Sequence, residues 1–349
     1  MTIKVMVVDD SAFMRKIISD ILKEDKDMDV PWTAKNGKDA LEKLTYIAPD
    51  VITLDIEMPI MDGITTLTEI VRKYNIPVVM LSSLTVDGAE ATIKALEVGA
   101  IDFITKPTNI FSLNNYEEKQ KLIDKVKIAS QIKRVENSYT SVIKPKKVFN
   151  SLPPSRRNDL EFIISIGTST GGPKALQSVI PQIPGNINGS ILVVQHMPEG
   201  FTKSLATRLD SMSNLKVKEA EDGEKLMKGY CYIAPGNYHM TVYQEKNEIR
   251  LRLSQDAIVS GHRPSVDVMM ESVAAIKTLK KIAIIMTGMG SDGASGMKKI
   301  FDVGGYTLAQ DEDSSVVYGM PKAAVNNGCV NKILPLNEIS NEIIDILGV

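Results

Sequence analysis

The 349-residue sequence is short of several residue types that point quickly to a function. It has two cysteines, Cys231 and Cys329, far apart and in no metal or redox spacing. That argues against a disulfide framework and fits a reducing compartment. Histidine occurs three times, as His196, His239 and His262, so any imidazole chemistry must draw on one of these. Charge of one sign is also lacking: 41 Lys and Arg against 43 Asp and Glu leave a net charge of -2. Neither a nucleic-acid surface nor an anionic-membrane surface is signalled. The first apolar run, Ile3 to Val8, is stopped by Asp9 and Asp10, too early for a signal peptide or a membrane span. These absences predict a cytoplasmic protein that neither inserts directly into a membrane nor binds nucleic acid.

The length is generous for one core, and two domains are expected. Over residues 1–125, short apolar strands (Ile3–Val8, Val30–Ala34, Asp50–Ile56, Pro77–Ser82, Ile101–Ile104) alternate with amphipathic helical stretches. Ser11 reads as a helix N-cap and Gly99 as a helix stop. The alternation predicts an α/β fold, a doubly wound parallel sheet with its site beyond the strand C-termini. Polar residues gather at those ends: Asp9 and Asp10 after the first strand, Asp55 closing the third, Ser82 the fourth, and Lys106-Pro107 the fifth. A single strand-end acid is ordinarily just solvated. Three together repel and call for a cation, and hard oxygen ligands suit Mg²⁺. No Gly-x-x-x-x-Gly-Lys-Ser/Thr loop is present to suggest a nucleotide here.

The stretches VVDDS (7–11), LDIEMPIMDG (54–63), MLSS (80–83) and DFITKP (102–107) resemble the receiver domain of bacterial response regulators, a flavodoxin-like fold. The resemblance implies that Asp55 is the phospho-acceptor. It also implies that Asp9, Asp10, Asp55 and the backbone of Glu57 hold Mg²⁺, and that Ser82 and Lys106 contact the phosphoryl group. Serine stands at 82 where threonine is usual. Residues 126–158 read as a helical end followed by an exposed, Pro- and Lys-rich linker (Lys144-Pro145-Lys146-Lys147, Pro153-Pro154).

Residues 159–349 carry a second α/β pattern, mostly parallel, with short central strands that predict an antiparallel hairpin region. Ile163-Ile164-Ser165-Ile166 runs into Gly167-Thr168-Ser169-Thr170-Gly171-Gly172, and a helix opens at Pro173. Gly167-x-Ser169-x-Gly171 fits the nucleophile-elbow pattern in its strand-turn-helix setting. The plain alternative is a capping serine in a glycine-rich turn. Two other strands end in His196 and, through Thr287-Gly288-Met289-Gly290-Ser291, in Asp292. A serine hydroxyl needs an imidazole to take its proton and a carboxylate to orient the imidazole. Ser169, His196 and Asp292 past three parallel strand ends would share one edge. His262 is the rival imidazole but reads as a loop residue, and His239 lies near a hairpin. Asp292 also reads as a cap for the helix starting at Ala294. Gly288-x-Gly290-x-x-Gly293 matches a dinucleotide fingerprint, with Asp311 as the ribose contact, although Asp292 inside the turn would oppose a pyrophosphate.

The segments IGTSTGGPKAL (166–176), VVQHMPEGFTKSLATRL (193–209), YIAPGNYHM (232–240), HRPSVDVMMES (262–272) and TGMGSDGASGM (287–297) resemble the catalytic domain of the chemotaxis protein-glutamate methylesterases, the CheB family. The resemblance implies a phosphorylation-activated hydrolase of glutamate γ-methyl esters on chemoreceptor cytoplasmic helices, with glutamine deamidation in addition. It assigns Ser169 as nucleophile, His196 as base and acid, and Asp292 as orienting acid, with no cofactor for the ester chemistry. Thr170 and Met289 are the expected backbone oxyanion donors, because both lie in glycine-flanked turns. A chemotaxis histidine kinase is the implied phosphodonor. The unphosphorylated receiver is expected to restrict the esterase. Two rival readings are a receiver-controlled binding module and a nicotinamide oxidoreductase. Loss of methanol release in Ser169→Ala would exclude the first, and absence of any nicotinamide effect on thermal stability would exclude the second.

Overall fold

The computed structural model describes residues 2–106, 116–132 and 160–348. The linker expected at 136–158, and Pro107, lie outside the described residues. The chain divides into two compact units, Met1–Val142 and Ile143–Val349.

The first unit runs β1 (Ile3–Val8), α1 (Ala12–Lys23), β2 (Met28–Ala34), α2 (Gly37–Lys43), β3 (Val51–Asp55), α3 (Gly63–Lys73), β4 (Val78–Ser82), α4 (Val86–Val98), β5 (Asp102–Thr105) and α5 (Tyr116–Gln131). The sheet order is β2-β1-β3-β4-β5, all parallel, the flavodoxin-like order. The central strands β3 and β4 are buried throughout, as strands covered by helices on both faces must be. Ser11 caps α1 by accepting from the Met14 N–H at 3.3 Å, and Gly99 ends α4 at φ 130°, both as read from sequence. Residue 125 lies inside α5. Leu122, Ile123, Val126 and Ala129 of this helix join Val5, Val7, Ile18 and Leu22 in one core, so the helix belongs to this unit on both sides of the boundary drawn at 125.

The second unit runs β6 (Phe162–Thr168), α6 (Gly172–Val179), β7 (Gly189–Gln195), α7 (Phe201–Met212), β8 (Lys216–Glu219), β9 (Tyr230–Ile233), β10 (His239–Glu245), β11 (Glu248–Ser254), α8 (Val266–Ala275), β12 (Lys280–Ile285), α9 (Ala294–Asp302), β13 (Tyr306–Gln310), α10 (Met320–Asn326), β14 (Lys332–Leu334) and α11 (Leu336–Leu347). Seven strands form one parallel sheet, β14-β13-β12-β6-β7-β9-β8. The antiparallel hairpin β10–β11 is a separate two-stranded sheet. Its apolar side, Met240, Val242, Ile249 and Leu251, packs into the same core as Met269, Met270 and Val273 of α8. β14 and α11 close the unit and were not foreseen as separate elements. The signal was there: Ile339, Ile343 and Leu347 recur every four residues after Pro335, and all three are buried.

Strand order places the site. β6 is central, with β7 on one side and β12 on the other, so the chain changes winding direction at β6. Gly167 pairs with Ile285 of β12 and with Val194 of β7, so the three strands end level. Such a switch point opens a crevice at the strand C-termini. Gly167 also lets α8 come close, since a Cβ there would sit 2.4 Å from Val266 Cγ1. Gly167→Ala is expected to destabilise the second unit by about 1–3 kcal/mol through overpacking. Urea unfolding followed by far-UV circular dichroism checks this. Fluorescence of the single tryptophan, Trp32 in β2, should report an unchanged first unit.

Candidate active site

Of the three residues expected beyond β6, β7 and β12, two meet directly, His196 and Asp292. His196 Nε2 lies 2.8 Å from Asp292 Oδ2, with the His196 side chain 5% exposed and Asp292 2% exposed. Because a carboxylate accepts, Nε2 carries the proton and Nδ1 carries the lone pair. Nδ1 is buried and has no hydrogen-bond partner among the described residues. The nitrogens are reversed relative to the chymotrypsin-type triad, in which the acid holds Nδ1.

Asp292 does not cap α9, as the sequence suggested. The α9 cap is Gly293, in the left-handed region and without a side-chain bond. Asp292 instead sits at the N-terminus of α8. Its Oδ1 accepts from Ser265 Oγ at 2.8 Å and from the Asp267 N–H at 2.9 Å. Its Oδ2 accepts from the Val266 N–H at 2.7 Å in addition to His196. Burial works to raise its pKa, but His196 and the N–H groups of Asp267 and Val266 outweigh it and hold the carboxyl below the usual range. Asp267, beside it, is shifted the other way, by burial first and by the charge of Asp292, against a 2.7 Å bond from the Gly296 N–H.

Ser169 is half-buried in the turn between β6 and α6. Its N–H donates to Thr287 O at 3.0 Å, and the Thr287 hydroxyl donates to Thr170 O at 2.9 Å. The turn carrying Ser169 and Thr170 is thereby tied to the turn carrying Met289. Gly171 adopts φ 78° to enter α6, and Gly288 lies so near that a Cβ on it would be 2.9 Å from Ser169 Cβ. The dinucleotide reading of this turn is not supported by its geometry. The buried Asp292 charge sits within it, and Asp311 Oδ1 is taken by Ser314, by its N–H at 3.0 Å and its hydroxyl at 2.5 Å.

All three histidines gather here. His262 stacks face to face on His196, with ring centroids 3.7 Å apart and planes within 8°. His239 is a brace: Nδ1 accepts from the Ser265 N–H at 3.2 Å and Nε2 donates to Ala257 O at 3.0 Å. Sequence reasoning missed Ser265 and the stacking place of His262. The compact HRPS run, 262–265, was the available signal. Cys231 and Cys329 are buried free thiols, and burial pushes both up.

In the first unit Asp9, Asp10 and Asp55 each place a carboxylate oxygen within 4.8 Å of the others. Asp9 and Asp55 are buried and Asp10 is exposed. Lys106 Nζ reaches Asp55 Oδ2 at 2.7 Å and Asp9 Oδ2 at 3.0 Å. The Glu57 N–H donates to Asp55 Oδ1 at 3.3 Å. Ser82 points elsewhere: its hydroxyl donates toward Ser83 O and Gly88 O, both at 3.2 Å, and accepts from Thr92 Oγ1 at 2.7 Å. Gly63 packs under the acid, where a Cβ would be 2.0 Å from Asp55 O. Burial pushes Asp55 up to about 6, against Lys106 and with help from the charge of Asp9.

No helix among the described residues is long and apolar enough to cross a membrane. Residues 5–116 match the response regulator receiver domain and residues 164–343 match the CheB methylesterase family. Curated proteins called protein-glutamate methylesterase/protein-glutamine glutaminase are similar along nearly their whole length. That of Geobacillus kaustophilus is 48% identical, covering 99% of each chain. That of Bacillus subtilis is 47% identical over 98% of this chain and 97% of its own. That of Pyrococcus abyssi is 44% identical over 98% and 93%. Among solved structures, the Thermotoga maritima CheB methylesterase catalytic domain is 44% identical, with a TM-score of 0.52, covering 53% of this chain and 98% of that one. With a receiver domain in front of the methylesterase match and relatives matched nearly end to end, this chain belongs to the CheB methylesterase family.

Proposed function

We propose that the second unit hydrolyses glutamate γ-methyl esters on chemoreceptor cytoplasmic helices, releasing methanol, and deamidates glutamines there, releasing ammonia. Phosphorylation of Asp55 by a chemotaxis histidine kinase activates it, in the cytoplasm. The observation that carries the reading is His196: Nε2–H is committed to Asp292, and the buried Nδ1 lone pair is left to receive a proton.

In this reading Ser169 Oγ attacks the ester carbonyl as its proton passes to His196 Nδ1. The Asp292 carboxylate holds the ring and stabilises the imidazolium through Nε2–H. Backbone N–H groups of Thr170 and Met289 stabilise the oxyanion. The imidazolium then protonates the departing methoxide, giving methanol and an acyl-serine. Water, losing a proton to His196, attacks the acyl-serine; the imidazolium then returns that proton to the leaving Ser169 Oγ, and the glutamic acid released ionises to the carboxylate. An amide follows the same path with ammonia as leaving group.

For the receiver, three carboxylates and the backbone of Glu57 make an all-oxygen donor set that fits Mg²⁺. Asp9, Asp10 and Asp55 would hold it, and bound Mg²⁺ supplies neutralisation of phosphoryl charge. Asp55 is the phospho-acceptor, and Lys106 offers a cation beside it. Ser82 would turn from Gly88 O toward the phosphoryl group.

Methanol release from methylated receptor tests the function. Ser169→Ala should lose more than ~10³-fold while still binding receptor. Asp55→Asn should keep basal release but ignore a small-molecule phosphodonor that accelerates the wild type. Release by Ser169→Ala at the wild-type rate would sink the esterase reading. Asp292→Asn turns one acceptor oxygen into a donor facing donors. It should cost kcat on the order of 10⁴-fold and stability roughly 1–3 kcal/mol; kinetics and thermal melting measure both.

The Asp55 shift gives a pH dependence. An unfolded aspartate titrates near ~3.9, so between there and about 6 the folded receiver keeps a proton that the unfolded chain releases. Metal-free stability therefore falls as pH rises through that window. Mg²⁺ must displace that proton, so its stabilisation of the receiver should be larger at pH 7.5 than at pH 5. Asp55→Asn should flatten the difference. Equal Mg²⁺-induced melting shifts at the two pH values in the wild type would contradict this.

A further inference from the structure

Gln195, the last residue of β7, is 2% exposed and has no place in the proton path above. Its amide nonetheless touches the backbone of both residues that path depends on. Nε2 donates to Ser169 O at 3.0 Å and to His196 O at 3.2 Å. Oε1 accepts from the Thr168 hydroxyl at 2.7 Å. The orientation is fixed by chemistry: two carbonyls can only accept, so the NH₂ must face them, and the hydroxyl is left to serve the oxygen. The ring of bonds closes through the main chain, because the His196 N–H donates to Thr168 O at 3.1 Å. Thr168 is itself fully buried.

The start of α6 is fitted to the same amide. A Cβ on Gly172 would lie 1.9 Å from Gln195 Oε1 and 2.8 Å from Thr168 Cβ. The second glycine of the pair therefore leaves room for the amide, and this explains a residue that the elbow pattern does not call for. Two strands that end level do not by themselves set the separation of the side chains that follow them. Here one side chain bonds across the gap to both.

We infer that Gln195, oriented by Thr168, is a positioning residue that fixes the spacing between the Ser169 nucleophile and the His196 base. The inference rests on the proposed roles of Ser169 and His196. A misplacement of about 1 Å is enough to cost roughly 10²-fold in rate.

The test is carried out on the full-length protein. Gln195→Met keeps length and burial but removes the amide; Thr168→Val keeps shape but removes the orienting hydroxyl. Each is assayed for the rate of Ser169 labelling by a fluorophosphonate, for kcat and KM in methanol release, and for melting temperature. The expected result for Gln195→Met is a ~10²-fold fall in labelling rate and in kcat with KM unchanged. Thr168→Val should show a smaller fall in the same two quantities. The double variant should be no slower than Gln195→Met, because the two residues act as one unit. If Gln195→Met does not fold, Thr168→Val alone must still show slower labelling in a folded protein. Wild-type labelling rates in the folded variants, with only the melting temperature lowered, would make the network merely structural and overturn the inference. Failure of the wild type to label at Ser169 would instead overturn the nucleophile assignment, and the positioning role with it.

Discussion

The second unit depends on one buried carboxylate. Asp292 carries a charge that would be prohibitive to bury unpaired. It is retained because four donors converge on it: Ser265 Oγ, the N–H groups of Val266 and Asp267, and His196 Nε2. Two of these are orphan donors of the first turn of α8, which any helix must satisfy somehow. The acid and the helix thus solve each other's problem. The consequence is steric. The start of α8 must come within hydrogen-bonding distance of the β12 turn, and Cβ atoms stand in its way. Gly167 and Gly293 each leave room for Val266, and Gly296 leaves room for the backbone of Asp267. Gly293 of the turn after β12 therefore serves the packing of α8 around an anion inside the protein, while Gly288 makes room for Ser169 and Met320, so part of the fingerprint answers to packing and not to a phosphate.

This explains which parts of the site were legible in the sequence. Ser169, His196 and Asp292 stood out because each lies beyond an apolar run, and parallel strands deliver their ends to one edge, where His196 and Asp292 do meet. The elements were legible for the same reason: β6 and β7 are buried throughout, β12 is buried from Ile282 to Ile285, and each has an apolar centre. What could not be read was any feature set by contacts distant in sequence. Asp292 capping α8 joins residues more than twenty apart, and the spacing to Ala294 pointed to the wrong helix. His262 gave no local sign that its loop would fold over His196. β14 and α11 are a different case. Their pattern was present, and α11 has the four-residue recurrence of an amphipathic helix.

The two units use aspartate in opposite ways, and environment alone sets the difference. Asp55 is buried at a strand end with Asp9 close by, and Lys106 only partly relieves the pair, so its carboxyl is pushed up. Asp292 is equally buried but meets donors on both oxygens and is held low. An anion short of cations suits the role proposed for Asp55, uptake of Mg²⁺ and a phosphoryl group, since either arrival would change its energy substantially. An anion already satisfied suits a group whose task is to stay ionised while its neighbour's charge comes and goes. Burial is common to both, so it cannot be the deciding variable. The count and polarity of the partners is. The same reasoning applies to the third group of each site. Lys106 faces two acids and has a raised pKa, whereas His196 faces one acid on one nitrogen and has no hydrogen-bond partner on the other among the described residues. A cation held by two anions is fixed in charge. An imidazole with one nitrogen committed and one open is held in place and still offers a lone pair, which the proposed role of serving twice in one turnover requires.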